Sequence, residues 1–262
     1  MHFSQKTALI TGASSGIGEA FAHELAAQGI GQLILTARSA DKLAALAATL
    51  QAQYGTPVLV LPADLAAPTG APELLARLEQ AGAAVDVLIN NAGVGRWADF
   101  LAEPADSYAA MVELNITALL RLTHGLLLGM VARGTGAILN VASTGAFQPC
   151  PYIATYCATK SFVLSFSEAL HGEFAARGVA VTALCPGNTT TGFQATANAD
   201  TRGMSADTPA QVAREGLAAL LRNKPCHVVG TSNYLQSLLP RVLPRRATIR
   251  AVANMMDKRV HR

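Results

Sequence analysis

The feature that most restricts this chain is an alternation of two kinds of segment running through most of its length. Short apolar runs carry no regular polar alternation: "TALIT" (Thr7–Thr11), "QLILTA" (Gln32–Ala37), "VLVLP" (Val58–Pro62), "VDVLIN" (Val85–Asn90), "AILNVA" (Ala137–Ala142) and "VAVTALC" (Val179–Cys185). "HVV" (His227–Val229) is a candidate last strand. Between them lie alanine-rich stretches with a helical pattern, to about Gln28, from Ala40 to Tyr54, and from about Pro72, where proline suits a first helical turn. Strands apolar on both faces must be covered on both faces, and strands separated by helices pair in parallel. Right-handed crossovers then predict an α/β, doubly wound parallel sheet. No linker or internal repeat interrupts the pattern, so residues 1–262 read as one domain with a basic tail from about Pro240.

Composition narrows the function classes. Apolar residues make up 51% of the chain and charged ones 14%, which supports a large core and excludes disorder. A net charge of +3, with no basic-aromatic stripe, speaks against a nucleic-acid partner. Cys150, Cys157, Cys185 and Cys226 have no CxxC spacing and read as reduced, buried thiols. The six histidines form no metal-binding pattern, so no metal is expected. "KTALITG" at the N-terminus reads as a strand and turn, not a signal peptide. Arg121 and His124 interrupt the apolar stretch Ile116–Ala132, which makes it a poor membrane span. A cytoplasmic protein is expected.

Two segments break the rhythm. Residues Asn188–Thr208 are small and polar, with Phe193 and Met204 as the large apolar side chains; a loop of that length is usually functional or mobile. From Pro240 onward Arg241, Arg245, Arg246, Arg250, Lys258, Arg259 and Arg262 face only Asp257. A solvated helical tail is expected, with contact to an anionic partner or membrane surface as the sharper alternative.

"TGASSGIG" (Thr11–Gly18) joins the first strand to the first helix. Gly12 permits a sharp turn, while Gly16 and Gly18 would let backbone approach a ligand, with the helix N–H groups receiving a pyrophosphate. The end of the second strand reads "LTARS": Arg38 and Ser39 stand where an acidic residue would bind ribose hydroxyls. A forked cation suits a ribose phosphate, so NADP is expected over NAD, although Ser15 is not the basic residue that would strengthen the case.

With "TGASSGIG", "NNAG" (Asn90–Gly93), Asn115, Ser143, "YCATK" (Tyr156–Lys160) and Pro186–Gly187 in this order, the chain resembles the short-chain dehydrogenase/reductase family from about Lys6 to His227. The resemblance implies a Rossmann fold of about seven strands in order 3-2-1-4-5-6-7, and reversible hydride transfer between NADP(H) and a carbonyl or secondary alcohol. It implies a catalytic set of Asn115, Ser143, Tyr156 and Lys160. It also implies a cofactor site of Gly12, Ser14, Ser15, Gly16, Ile17, Gly18, Arg38, Asp64, Asn91, Ala92, Gly93, Tyr156, Lys160, Pro186, Gly187, Thr189 and Thr191. "PGNTT" departs from the usual apolar residue after Pro-Gly. The extended C-terminus lacks the glycine-rich ending of many 3-oxoacyl carrier-protein reductases and resembles members acting on lipophilic ketones or aldehydes.

Tyr156 and Lys160 stand one helical turn apart, on one face. A phenol near pKa ~10 is a poor acid-base group at neutral pH. Lys160 and an oxidised nicotinamide would favour phenolate; Ser143 would hold the substrate oxygen, and Asn115 would order a water that reloads the proton through Lys160. A non-catalytic NADP(H)-binding sensor is the alternative, which would not need all four residues. Val94, Gly95, Trp97, Phe147, Tyr152 and Phe193 are candidates to line an apolar substrate pocket. The apolar helices around Asp106–Arg133 and Tyr152–Arg177 suggest a homodimer or homotetramer.

Overall fold

In the computed structural model, which describes residues 2–260, seven parallel strands form one sheet in the order β3-β2-β1-β4-β5-β6-β7. They are β1 (Thr7–Thr11), β2 (Gln32–Thr36), β3 (Val58–Val60), β4 (Val87–Asn90), β5 (Gly136–Val141), β6 (Val179–Cys185) and β7 (Cys226–Val228). The helices are α1 (Gly16–Ala27), α2 (Ala40–Tyr54), α3 (Gly70–Gln80), α4 (Ala105–Val112), α5 (Leu119–Ala132), α6 (Ala154–Phe174), a single turn α7 (Phe193–Thr196), α8 (Pro209–Leu221), α9 (Thr231–Val242) and α10 (Arg245–Asp257). The expected doubly wound sheet and its strand order are therefore present.

Alternate residues of each strand feed opposite layers. Ala8, Ile10, Leu33, Leu35, Val87, Ile89 and Leu139 pack against α1, α2 and α8 through Phe21, Leu25, Leu43, Leu50, Val212 and Leu217. Their neighbours Leu9, Ile34, Leu88 and Ile138 point the other way, against Leu74 and Leu78 of α3 and Leu122 and Met130 of α5. This two-sided burial is the physical reason the strands lack polar alternation.

Some boundaries differ from expectation. Helix α3 starts at Gly70, so Pro72 sits within its first turn, where the missing N–H has no helical partner to lose. The run Ala105–Ala132 is long and apolar enough to cross a membrane by length and composition. Here Leu119, Leu122, Thr123, Leu127 and Met130 are buried beside the sheet, while Val112, Leu120 and Leu128 are exposed. The basic tail is not simply solvated: Tyr152 Oη donates to Asp257 Oδ1 at 2.7 Å, Arg259 Nη1 donates to the Asp200 and Arg202 carbonyls, and Met256 and Val260 are buried. Arg262 lies outside the described residues.

Candidate active site

Six strand ends converge on one edge of the sheet, and nearly every candidate residue follows one of them. Gly12 follows β1, Arg38 β2, Asp64 β3, Asn91 β4, Ser143 β5 and Pro186 β6. Consecutive strands β3 and β4 lie on opposite sides of β1, so their connections diverge and leave a crevice beside the glycine turn.

The turn is held by short backbone contacts. Gly12 has φ +65°, and a Cβ there would lie 2.9 Å from Ala92 Cα. A Cβ on Gly18 would lie 2.2 Å from the Gly12 carbonyl oxygen, so this glycine serves the packing of α1 onto the turn, not the approach of a ligand. Gly16 faces Thr191, whose Cγ2 would stand 3.0 Å from an added Cβ. Ser15, the residue before α1, is exposed and makes no capping bond, so the α1 N–H groups lack that internal acceptor. Ser14 is half-buried beside it, and Ile17 packs against the core.

Asn91 is tied to the same turn. Its Nδ2 donates to the Thr11 carbonyl at 2.9 Å and the Gly12 carbonyl at 3.2 Å, while Asn91 N and Ala92 N both donate to Thr11 Oγ1. The side chain therefore braces the turn against β4, and its donors are not free for a ligand. Arg38 is exposed and has no ion-pair partner among the described residues. Asp64 is exposed and accepts from Ala66 N, which shapes the turn after β3.

Asn115 sits in a π-helical turn, Glu113–Ala118, between α4 and α5. Such turns widen a helix locally and often occur at functional sites. Its Oδ1 accepts from Val94 N at 3.0 Å; its Nδ2 donates to the Val94 carbonyl at 2.9 Å and to Thr159 Oγ1 at 3.0 Å. The side-chain amide is thus occupied by protein partners. Thr159, inside the "YCATK" motif, passes the contact on by donating to the Tyr156 carbonyl at 2.7 Å. Nothing in the sequence pattern marked that threonine beyond its place between tyrosine and lysine.

On α6, Tyr156 is half-buried with its hydroxyl near enough to Ser143 to interact with it, and Ser143 Oγ accepts from Gly145 N at 3.1 Å. Lys160 is buried, donates to the Val141 carbonyl at 2.8 Å, and stands 5.7 Å from the centre of the Tyr156 ring. Desolvation pushes the Tyr156 phenol well above its ordinary value, with Ser143 opposing it. Desolvation also lowers the Lys160 ammonium to about 8. The expected depression of the tyrosine by Lys160 is not produced by the protein groups, because burial outweighs them. Gly93 borders both groups: a Cβ there would lie 3.3 Å from Asn115 Oδ1 and from Lys160 Nζ.

The substrate-side candidates separate into two sets. Gly95 and Phe193 lie against Tyr156, with the Phe193 and Tyr156 rings 5.5 Å apart. Val94 is gripped by Asn115, and Trp97 N donates to the Ala197 carbonyl, tying this wall to the loop after β6. Phe147 instead packs against the core near Leu119 and Val163. Tyr152 has φ +68° and bonds to Asp257. In the 188–208 loop, Gln194 Nε2 donates to Asn188 Oδ1 and the Thr189 carbonyl, and its Oε1 accepts from Thr191 N. Asn188 is thereby a loop fastener. Thr189 is buried, and Pro186 accepts from Thr144 N beside Ser143. Behind the site, Asn90 Nδ2 donates to Thr123 Oγ1 and Asn140 Oδ1, and Asn140 Nδ2 donates to Ser167 Oγ. This buried polar chain was unforeseen; asparagines at matching places in two apolar strands were its only signal.

Known proteins resemble this chain in sequence and fold. A very-long-chain 3-oxoacyl-CoA reductase of Danio rerio is 34% identical over 192 residues, covering 71% of this chain and 60% of the relative. The human protein of that description is 32% identical over 183 residues, covering 68% of this chain, which spans only 58% of that relative's length. A Sphingobium yanoikuyae short-chain dehydrogenase solved with NADPH is 34% identical, with a TM-score of 0.82 over 89% of this chain and 92% of that one. The bulky-bulky ketone specific alcohol dehydrogenase of Comamonas testosteroni is 29% identical, with a TM-score of 0.79 over 91% of this chain and 92% of that one. The model for short chain dehydrogenase matches residues 6–202, which hold the glycine turn, the Asn115 turn and the Tyr156–Lys160 helix, and the chain belongs to that family.

Proposed function

We propose that this protein is a cytoplasmic, NADPH-dependent reductase of lipophilic ketones or aldehydes. The observation that carries the reading is the Ser143–Tyr156 hydroxyl pair, set above buried Lys160 at the edge of a glycine-turn crevice.

The residues fit a nicotinamide dinucleotide. The uncapped start of α1 suits a pyrophosphate, and exposed Arg38 suits a ribose phosphate. The NADPH of the Sphingobium enzyme favours the same choice. Thr191 faces Gly16 of the turn, and Pro186 accepts from Thr144 N beside Ser143, so both border the crevice. When bound, the reduced nicotinamide supplies the hydride that reaches the carbonyl carbon.

The chain's own groups manage the proton. Ser143 and Tyr156 together hold the carbonyl oxygen, and Tyr156 Oη donates its proton to the oxygen as negative charge develops there. Burial keeps the phenol protonated at neutral pH, which is the loaded state reduction requires. The resulting phenolate is stabilised by the Lys160 ammonium one turn away. Asn115 and Thr159 fix the main chain around Tyr156, and so act as positioning residues.

An apolar substrate is favoured by the Gly95–Phe193 wall, by the bulky ketones named for the Comamonas enzyme and by the acyl substrates named for the reductases. The test is NADPH oxidation with a panel of ketones and aldehydes of rising chain length and bulk. Turnover should favour large apolar carbonyls, and no turnover with any of them would overturn the reading. Exposed Val112, Leu120 and Leu128 on α4 and α5 support a homodimer or homotetramer, which light scattering at micromolar protein would check.

A further inference from the structure

Helix α9 is packed inside out. Its contact with the rest of the fold runs through Asn233, Ser237 and Pro240, spaced as one helical face, with Leu238 half-buried at its edge. Ser237 is only 5% exposed, whereas Leu235, Leu239 and Val242 on the opposite face are 60%, 51% and 78% exposed. Asn233 explains the inversion: its Nδ2 donates to the Val229 carbonyl at 2.8 Å and to Asp207 Oδ2 at 3.3 Å, so the polar face is the one anchored. The apolar stripe is followed by exposed Leu243 and by exposed Arg245 and Arg246 at the start of α10, with Arg250 one turn on.

We propose that this α9–α10 face docks on the surface of an anionic lipid bilayer. An outward apolar stripe beside a cluster of arginines is the pattern of a helix lying in the headgroup boundary, apolar side chains inserted and cations on the lipid phosphates. Charge decides between occupants. Between Thr231 and Val260 the sole carboxylate is Asp257, which is bonded to Tyr152. A symmetric contact between two copies through this face would set the arginine cluster against itself, whereas an anionic surface complements it. The face is also fastened to the site's surroundings, through Asp257 to Tyr152 and through Arg259 to the carbonyls of Asp200 and Arg202 in the loop after β6. Docking does not depend on the reaction proposed above, and the two ideas fail separately.

The test is co-sedimentation of the full chain with phosphatidylcholine vesicles, with and without phosphatidylserine. Binding is expected to the phosphatidylserine vesicles and to weaken as salt rises. The exposed double variant Arg245→Glu/Arg246→Glu should lower partitioning by roughly 30-fold or more, at about 1 kcal/mol per arginine lost and more for the reversed charge. The triple variant Leu235→Ser/Leu239→Ser/Val242→Ser should also abolish binding, with unfolding temperature unchanged because all three side chains face outward. No sedimentation of the parent chain with phosphatidylserine vesicles would overturn the proposal. So would binding that survives the triple variant, since it would be adsorption without insertion. Loss of a dimer in the triple variant, without vesicle binding by the parent, would make a second copy the occupant and overturn it equally.

Discussion

Lys160 Nζ stands 5.7 Å from the centre of the Tyr156 ring while donating to the Val141 carbonyl, so the ammonium is anchored to the end of β5 and not to the phenol. The pair acts through space. In the proposed reaction Lys160 would supply positive charge at a fixed distance while Tyr156 exchanges its proton with a substrate oxygen.

Tyr156→Phe tests the acid. It keeps the ring that packs on Phe193 and removes the hydroxyl that meets Ser143. Turnover should fall by roughly 10²–10⁴-fold while unfolding temperature and NADPH affinity persist. Steady-state assay beside a thermal-shift titration checks both; unchanged turnover would remove Tyr156 as the proton donor.

Burial of Lys160 makes stability depend on pH. Its folded value, about 8, lies below its ordinary 10.5, so the unfolded chain holds a proton that the folded chain releases between those values. The penalty is therefore full below pH 8 and fades as pH rises toward 10.5, by about 3 kcal/mol. Urea unfolding of the protein and of Lys160→Met, from pH 7 to 10, should show the parent gaining on the variant across this window. A difference independent of pH would show that the ammonium is not desolvated.

Asn115→Ala would strip partners from the Val94 N–H and carbonyl and from Thr159 Oγ1. The expected loss is about 3 kcal/mol in urea unfolding, with kcat reduced more than NADPH affinity. Stability equal to the parent would mean that water replaces the amide.

Arg38→Asp probes cofactor choice. Losing a charge-assisted contact and adding repulsion should weaken NADPH by roughly 100-fold or more, with NADH changed far less. Calorimetric titration with both cofactors decides; equal parent affinities would sink the assignment.

Gly18→Ala should be destructive even though it adds one methyl group. The new Cβ would sit 2.2 Å from the Gly12 carbonyl oxygen and 2.6 Å from Asn91 Nδ2, which is itself bonded to the turn and cannot easily give way. A loss of at least ~2 kcal/mol is expected in thermal unfolding, together with weaker NADPH binding. Normal stability would show that the turn can open.

The sequence by itself determined the layered sheet, because residues apolar on both faces in β1, β2, β4, β5 and β6 admit only a strand covered twice. It also marked the glycine turn and the Tyr156–Lys160 spacing, since both are local: a turn needs glycine where φ is positive, and a helix brings residues four apart together. Only the tertiary structure decided what those groups touch. That Asn91 braces Gly12, that Asn115 grips Val94, and that Asn90 meets Asn140 are contacts between segments 21 to 80 residues apart, and an asparagine's identity does not tell which carbonyl it will find. The outward stripe of α9 belongs to the same class. Leu235, Leu239 and Val242 would read as a core-facing stripe, and it is the anchoring of Asn233 on Val229 and Asp207 that turns them toward the surroundings. Periodicity says that a helix has two faces; the polar contacts made across the fold decide which one is buried.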